Sequence, residues 1–481
     1  MTTSLWTERA LPSDRQPIPL RFGTQVSRRD DEAMQRFRRY GLGQFIHFGL
    51  YSILGGEYQG VSAAGGSAAP EWIRAWSGPT APEGWQGTYD RLNESFDPAR
   101  LDARAWARQA KRMGARYVIF TTKHHDGFAL WPSAHSDYTV RESPCGRDLV
   151  GEVVDAYTAE GIDVFLYFSV LDWHHPGYLR TVPATDAERA GWQDFLQYTR
   201  AQLLELLDRY PAARGLWFDG TWDASWIASH EFTHALEAEL RARRPGLIIG
   251  SRFRNDEHGA RHFDSNGALL GDYEQGWERK LPANFEMLGG NDWDCVMTIG
   301  PNAWGWLRDT RGQYQKTADD LVDLLMRCRS MNGNLVVNFG PDGLGRMTAH
   351  EDEIAEQLGA WVAANADAVY DAHHVDLDRT GAGWLTGDGD RLFVTVVNRP
   401  VTGILRLRFP AGAERMPISA RLLDSGRDLP VRLTDIGFDL DDALYCDVSI
   451  PADLEAEHAF VIELALGEAS ASVGDRIDAW M

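Results

Sequence analysis

Tyr117-Val118-Ile119-Phe120-Thr121-Thr122-Lys123-His124-His125-Asp126-Gly127-Phe128 begins as a short apolar run and ends in two histidines, an acid and a glycine. A run of that length, closed by polar residues and glycine, predicts a buried strand. Strands that open at their ends into polar loops are where α/β barrels carry their chemistry. If this stretch belongs to such a fold, other segments must end the same way.

Seven others do. Apolar runs at 44–49, 164–169, 215–218, 247–250, 268–273, 293–299 and 334–338 join the run at 116–122 to make eight predicted strands. Helical periodicity, with capping signals such as Asp97-Pro98 and Gly114, predicts helices over 31–41, 99–113, 148–160, 186–209, 229–243, 317–331 and 348–367. Strands alternating with helices predict a parallel sheet, and eight of them a (β/α)₈ barrel. The helix between the later strands is weak or missing, so the barrel is expected to be irregular. The excursion at 50–95 is long, and loops of that length tend to be functional; it carries Glu71-Trp72 and is read as a lid or wall of a site. Beyond 372 the pattern becomes short alternating runs separated by Gly, Asp and Pro, which predicts an antiparallel β-sandwich. The expected division is a lead-in at 1–30, an α/β barrel at 31–368 and a sandwich at 369–481.

The chain has 44% hydrophobic residues and 18 tryptophans, enough for large cores and for flat apolar surfaces against a ligand. Its formal charge of -22 argues against nucleic acid or an anionic membrane as partner. Cys145, Cys295, Cys328 and Cys446 lack metal-ligand or disulfide-framework spacing and are read as free thiols. No signal-like N-terminus and no run of 18 apolar residues is seen, so a cytoplasmic location is expected.

In a barrel, the strand ends collect at one mouth. His47, His124, His125, Tyr167, Trp173, Asp219, Arg252, Glu274 and Glu278 all follow or close a predicted strand. Asp219 ends the run Leu216-Trp217-Phe218 and precedes Gly220, so it reads as a site carboxylate or as a turn cap. Glu278 is placed in a loop after the sixth strand, with Glu274 as its competitor for a second carboxylate. Adjacent residues on a strand point to opposite sides, so His124 and His125 are not expected to share a metal ion. No metal and no cofactor is expected, and His174 and His175 are read as structural or as hydrogen-bonding groups. Directional polar groups, aromatic faces and paired carboxylates suit a carbohydrate and its hydrolysis.

The chain resembles the retaining α-L-fucosidases. The resemblance is carried by Phe45-Ile46-His47-Phe48-Gly49, Glu71-Trp72, Lys123-His124-His125-Asp126-Gly127-Phe128 and Trp217-Phe218-Asp219-Gly220. Further matches are Ser251-Arg252-Phe253, Trp304-Gly305-Trp306 and Asn338-Phe339-Gly340-Pro341. It implies a (β/α)₈ barrel followed by a β-sandwich. It implies Asp219 as nucleophile, and His47, Glu71, Trp72, His124, His125, Tyr167 and Arg252 as residues that hold fucose in a fucosylated oligosaccharide. For the acid/base, the following Arg279-Lys280-Leu281-Pro282 favours Glu278 over Glu274, although a Thr-Pro-Glu often found in the family is absent. The competing readings are a barrel glycosidase for another sugar and a carbohydrate-binding protein without activity.

Overall fold

Asp31 caps the first described helix, Glu32–Arg38. Its carboxylate accepts the amides of Ala33 and Met34 at 3.0 and 3.2 Å, satisfying two of the donors that a helix start leaves open. This computed structural model describes residues 29–63, 69–410, 412–435, 443–454 and 458–468. Most of the expected lead-in at 1–30, and residues 64–68 of the excursion at 50–95, lie outside the described residues.

Eight parallel strands form one sheet: β1 Leu42–Ile46, β2 Tyr117–Lys123, β3 Asp163–Ser169, β4 Gly215–Asp219, β5 Ile248–Ile249, β6 Glu274–Glu278, β7 Trp293–Thr298 and β8 Asn334–Phe339. Their order, β5-β4-β3-β2-β1-β8-β7-β6, is that of a curled barrel whose ladder is interrupted between β5 and β6. That seam is closed by two backbone hydrogen bonds just outside the strands, Asp272 N to Ile249 O (2.8 Å) and Ser251 N to Tyr273 O (3.1 Å). The helices of seven residues or more are α1 Glu32–Arg38, α2 Ala103–Met113, α3 Leu149–Ala159, α4 Asp186–Arg209, α5 His230–Arg243, α6 Ala318–Arg329 and α7 Ala349–Ala364. No helix of the described residues joins β5 to β6, and β6 to β7 has only a 3-10 turn at Glu286–Leu288. The barrel is irregular where the periodicity fails.

Two expectations change. Helix α2 is capped by Asp102, which accepts the Ala105 amide at 3.0 Å; the Asp97-Pro98 signal lies upstream of a non-helical stretch. The sixth strand is Glu274–Glu278, not 268–273. The apolar residues before it belong to a tight loop, in which Asp264 accepts the amides of Asn266 and Ala268. The more polar segment instead pairs with β7, Glu274 opposite Trp293 and Glu278 opposite Val296.

Inside the barrel, Phe45, Tyr117, Ile119, Phe165, Tyr167, Trp217 and Val336 pack with Met34 and Phe37 of α1. The sandwich has a core of its own. Its five-stranded sheet takes the order β9-β10-β16-β12-β13, from β9 Gly383–Gly387, β10 Arg391–Val396, β12 Arg415–Leu422, β13 Asp428–Leu429 and β16 Phe460–Glu468. The facing three strands run β11-β15-β14, from β11 Ile404–Phe409, β14 Val431–Asp435 and β15 Leu444–Ser449. Buried Arg329 holds the segment that leads into the sandwich, donating to the carbonyls of Gly333, Val369 and Ala372. All four cysteines are free and buried. Among the described residues no helix is long and apolar enough to cross a membrane.

Candidate active site

Strand β2 stops at Lys123, and this changes the reading of the two histidines after it. Off the strand, alternation no longer applies: the rings of His124 and His125 lie 4.1 Å apart, centroid to centroid. Gly127 makes the turn. Its φ is +82°, its amide donates to His124 O at 3.1 Å, and a Cβ there would stand 2.3 Å from Asp172 Oδ1. Asp172 holds the turn together. It accepts Lys123 Nζ at 2.8 Å and the amides of His174 and His175 at 3.0 Å, while Trp173 N donates to His125 O at 2.8 Å. The Lys123–Asp172 pair is fully buried, so neither charge has water to fall back on. We expect Gly127→Ala to strain the backbone and push this pair apart, costing about 3 kcal/mol of stability. Urea unfolding would measure it; a loss below about 1 kcal/mol would show that the turn does not depend on glycine.

Asp219 closes β4. Its Oδ2 accepts the Tyr167 hydroxyl at 2.9 Å and lies 3.8 Å from His125 Nε2. Its Oδ1 accepts Arg252 Nη1 at 3.3 Å. Arg252 Nη2 donates to Glu278 Oε2 at 2.6 Å, and Arg252 Nε to Gln275 O at 2.9 Å. One guanidinium, seated 4.9 Å over the Trp217 ring, therefore holds both carboxylates. Glu278 is the last residue of β6 and not part of a loop, as the shifted strand requires; Glu274, at the buried start of that strand, is not the carboxylate on this guanidinium. Burial pushes the Glu278 carboxyl up, but Arg252, helped by Arg279 and His47, carries it below its ordinary value.

The remaining side chains form walls. His47 Nδ1 is 2.7 Å from Asn338 Oδ1. Asn338 donates its Nδ2 to Trp304 O, so Oδ1 accepts, His47 carries its proton on Nδ1, and its Nε2 is left as an acceptor. Burial drives this imidazole down to about 3, with the Asn338 bond opposing, so it is neutral. His124 lies parallel to Tyr167 at 5.4 Å and is also held neutral, by burial and by its neighbours His125 and His47. Its Nδ1 is buried without a hydrogen-bond partner. His125 Nδ1 is fixed by Ser169 Oγ at 2.7 Å.

The long excursion does supply a wall. The 3-10 helix Pro70–Ala75 presents Glu71, whose Oε2 accepts the amides of Trp304 and Gly305 at 3.3 and 3.0 Å. Burial raises its carboxyl to about 7 against those two bonds. Trp72, 37% exposed, stands edge-on to His125 and parallel to Trp222. His174 and His175 serve the fold: His174 stacks on Tyr138, and His175 Nδ1 accepts the Gly177 amide. The described residues contain one cluster tight enough to hold a metal ion, His124, His125 and Asp219, with ligand atoms within 4.8 Å. Arg252 on the same carboxylate opposes a second cation there.

The structure thus brings His47, Glu71, Trp72, His124, His125, Tyr167, Asp219, Arg252 and Glu278 to one mouth. Sequence reasoning assigned no role to Asn338, Trp304 or Trp222. Asn338 could have been found as the polar residue near the end of the eighth strand, and Trp304 from its place in Trp304-Gly305-Trp306.

A family model described as Alpha-L-fucosidase matches residues 19–367. The chain belongs to the α-L-fucosidase family. An α-L-fucosidase from Bacteroides thetaiotaomicron is 39% identical and superposes with a TM-score of 0.85, covering 94% of this chain and 98% of its own. A second structure from that organism is of an α-L-fucosidase trapped as a covalent intermediate with 2-fluoro-fucosyl fluoride. It is 38% identical at a TM-score of 0.84, covering 94% and 100%. The tissue α-L-fucosidase of Bos taurus is 27% identical over 442 residues, 88% of this chain and 86% of its own. The barrel-plus-sandwich fold is common to these α-L-fucosidase structures and this chain, and the readings as another sugar's glycosidase or as a non-catalytic binder are not favoured.

Proposed function

We propose that this member of the α-L-fucosidase family removes terminal α-L-fucosyl residues from fucosylated glycans by double displacement, with Asp219 as nucleophile and Glu278 as acid/base. The observation that carries the assignment is the Arg252 guanidinium shared by the two carboxylates. Tyr167 and Arg252 donate to Asp219, so the carboxylate is aimed before the sugar arrives.

In the first step an Asp219 oxygen bonds to the anomeric carbon, the glycosidic bond breaks, and the Glu278 proton passes to the leaving oxygen. Glu278 then carries a negative charge, and Arg252 is in place to stabilise it. In the second step water gives its proton to Glu278 and its oxygen to the anomeric carbon, releasing Asp219. Neutral His47 accepts from a sugar hydroxyl through Nε2, and Glu71, with one oxygen without a protein partner, takes another. The trapped covalent intermediate of the bacterial relative supports retention.

Proton NMR of the first turnovers on an aryl α-L-fucoside tests this reading. α-L-Fucose should appear first and mutarotate to the β anomer; β-L-fucose appearing first would overturn the double displacement. The corresponding α-D-galactoside should be cleaved far more slowly.

A further inference from the structure

We infer that Arg279 builds the leaving-group side of the site and selects leaving groups that carry an anionic substituent, a carboxylate or a sulfate, beside the scissile oxygen. This rests on the reading of Glu278 as acid/base, because the acid marks the side from which the leaving oxygen departs.

The first observation is backbone geometry. Arg279 has φ +53°, a left-handed conformation that arginine seldom adopts and that costs energy for a residue with a Cβ. In a continued strand Arg279 would point away from Glu278. The left-handed turn cancels that alternation, and Arg279 Nη2 lies 3.6 Å from Glu278 Oε1. The second observation is where the charge goes. The guanidinium leans over Trp304, with Cζ 5.7 Å from the ring, and makes one long hydrogen bond, Nη1 to Asn302 O at 3.4 Å. The side chain is 37% exposed. Among the described residues its remaining N–H donors, of the five a guanidinium carries, meet no hydrogen-bond acceptor. Arg252 beside it differs, because its donors are taken up by Asp219, Glu278 and Gln275.

Arg279 therefore presents a cation next to the acid/base, on a chain whose formal charge is -22. An incoming anion is repelled by the net charge of the protein and attracted by this guanidinium, so its recognition is local and short-ranged. It also has a catalytic consequence. An anion that draws Arg279 away from Glu278 removes one of the two arginines that favour the ionised carboxylate, and so favours the protonated acid.

The test uses two aryl α-L-fucosides matched in leaving-group acidity, one bearing a carboxylate on the ring and the other the methyl amide in its place. The wild-type protein should favour the carboxylate by about tenfold in kcat/KM, the size of one charge-assisted hydrogen bond, and salt at about 0.5 M should erode the preference. Arg279→Gln should lower kcat/KM on the carboxylate about ten times more than on the amide, and Arg279→Lys should keep part of the preference. Arg279→Gly provides the control for folding. Glycine is at ease at this φ, so that variant should keep or raise Tm while losing the preference. Absence of the preference in wild type, its survival in Arg279→Gln and Arg279→Gly, or an equal loss on both substrates would overturn the inference. A failure of the Glu278 assignment would appear separately, as normal turnover of a fucosylated oligosaccharide by Glu278→Ala.

Discussion

Asp219→Gly should lower kcat on an aryl α-L-fucoside on the order of 10⁴-fold, and azide should restore turnover with β-L-fucosyl azide as the product. The size follows from the chemistry: without the carboxylate no covalent intermediate forms, and a small external anion can replace it only by attacking from the vacated side. The product is diagnostic, since a single displacement from that side inverts the anomeric centre. The fold should survive. Asp219 sits at a strand end, its loss leaves the Tyr167 hydroxyl facing the open mouth, and Arg252 keeps Glu278 and the Gln275 carbonyl. Circular dichroism and Tm would confirm this. Near wild-type kcat in a folded Asp219→Gly protein would remove Asp219 from the nucleophile role.

Glu278→Ala should separate substrates by leaving group. An aryl fucoside with an acidic phenol needs no proton to depart, so the first step should hardly change. A fucosylated oligosaccharide should lose about 10³-fold. Azide should now yield α-L-fucosyl azide, because it attacks an intermediate that Asp219 has already formed. Glu274→Gln should show neither effect; if it does, and Glu278→Ala does not, the two roles are exchanged.

The acid/base also predicts pH dependence. Burial raises the Glu278 carboxyl, but Arg252 and Arg279 hold it below its ordinary 4.5, and the acid must be protonated to act. The alkaline limb of kcat/KM, which reports the free protein, should therefore fall at acid pH. The limb of kcat should lie higher, since a Glu278 that bonds the glycosidic oxygen no longer faces Arg252 as an ion. Coincident limbs with a midpoint above about pH 7 would contradict the arrangement.

The readable parts of the chain were those where burial and chemistry share a short stretch. Trp217-Phe218-Asp219-Gly220 shows its strand and its carboxylate together, and so does the run into His124. Glu274–Glu278 does not, because only its ladder with β7 makes that polar segment a strand. The same shift moved Glu278 from a loop to a strand end. The direction of His125 was misjudged for a local reason: the strand ends at Lys123, one residue before the pair, and alternation was carried too far. β9, bounded by Gly383 and Gly387, lacks an apolar run long enough to stand out. Arg252 was found as a strand-end residue, but its grip on Asp219 and Glu278 spans 33 and 26 residues, and no pattern in the sequence encodes that distance.

The interrupted ladder between β5 and β6 has a consequence for how the two carboxylates are held. Asp219, the proposed nucleophile, is set in a continuous arc of paired strands, whereas Glu278, the proposed acid/base, rides on the arc's end strand. Beside the two backbone bonds of the seam, a latch of side chains couples that end to Asp219: Arg252 to the Gln275 carbonyl, Ser251 Oγ to the Gln275 amide, and Gln275 Nε2 to the Phe218 carbonyl. Side chains can be exchanged without redrawing a sheet. On the proposed roles, the spacing of Glu278 to Asp219 is thus set in part by the side chains at positions 251, 252 and 275, while Asp219 stays where its strand puts it.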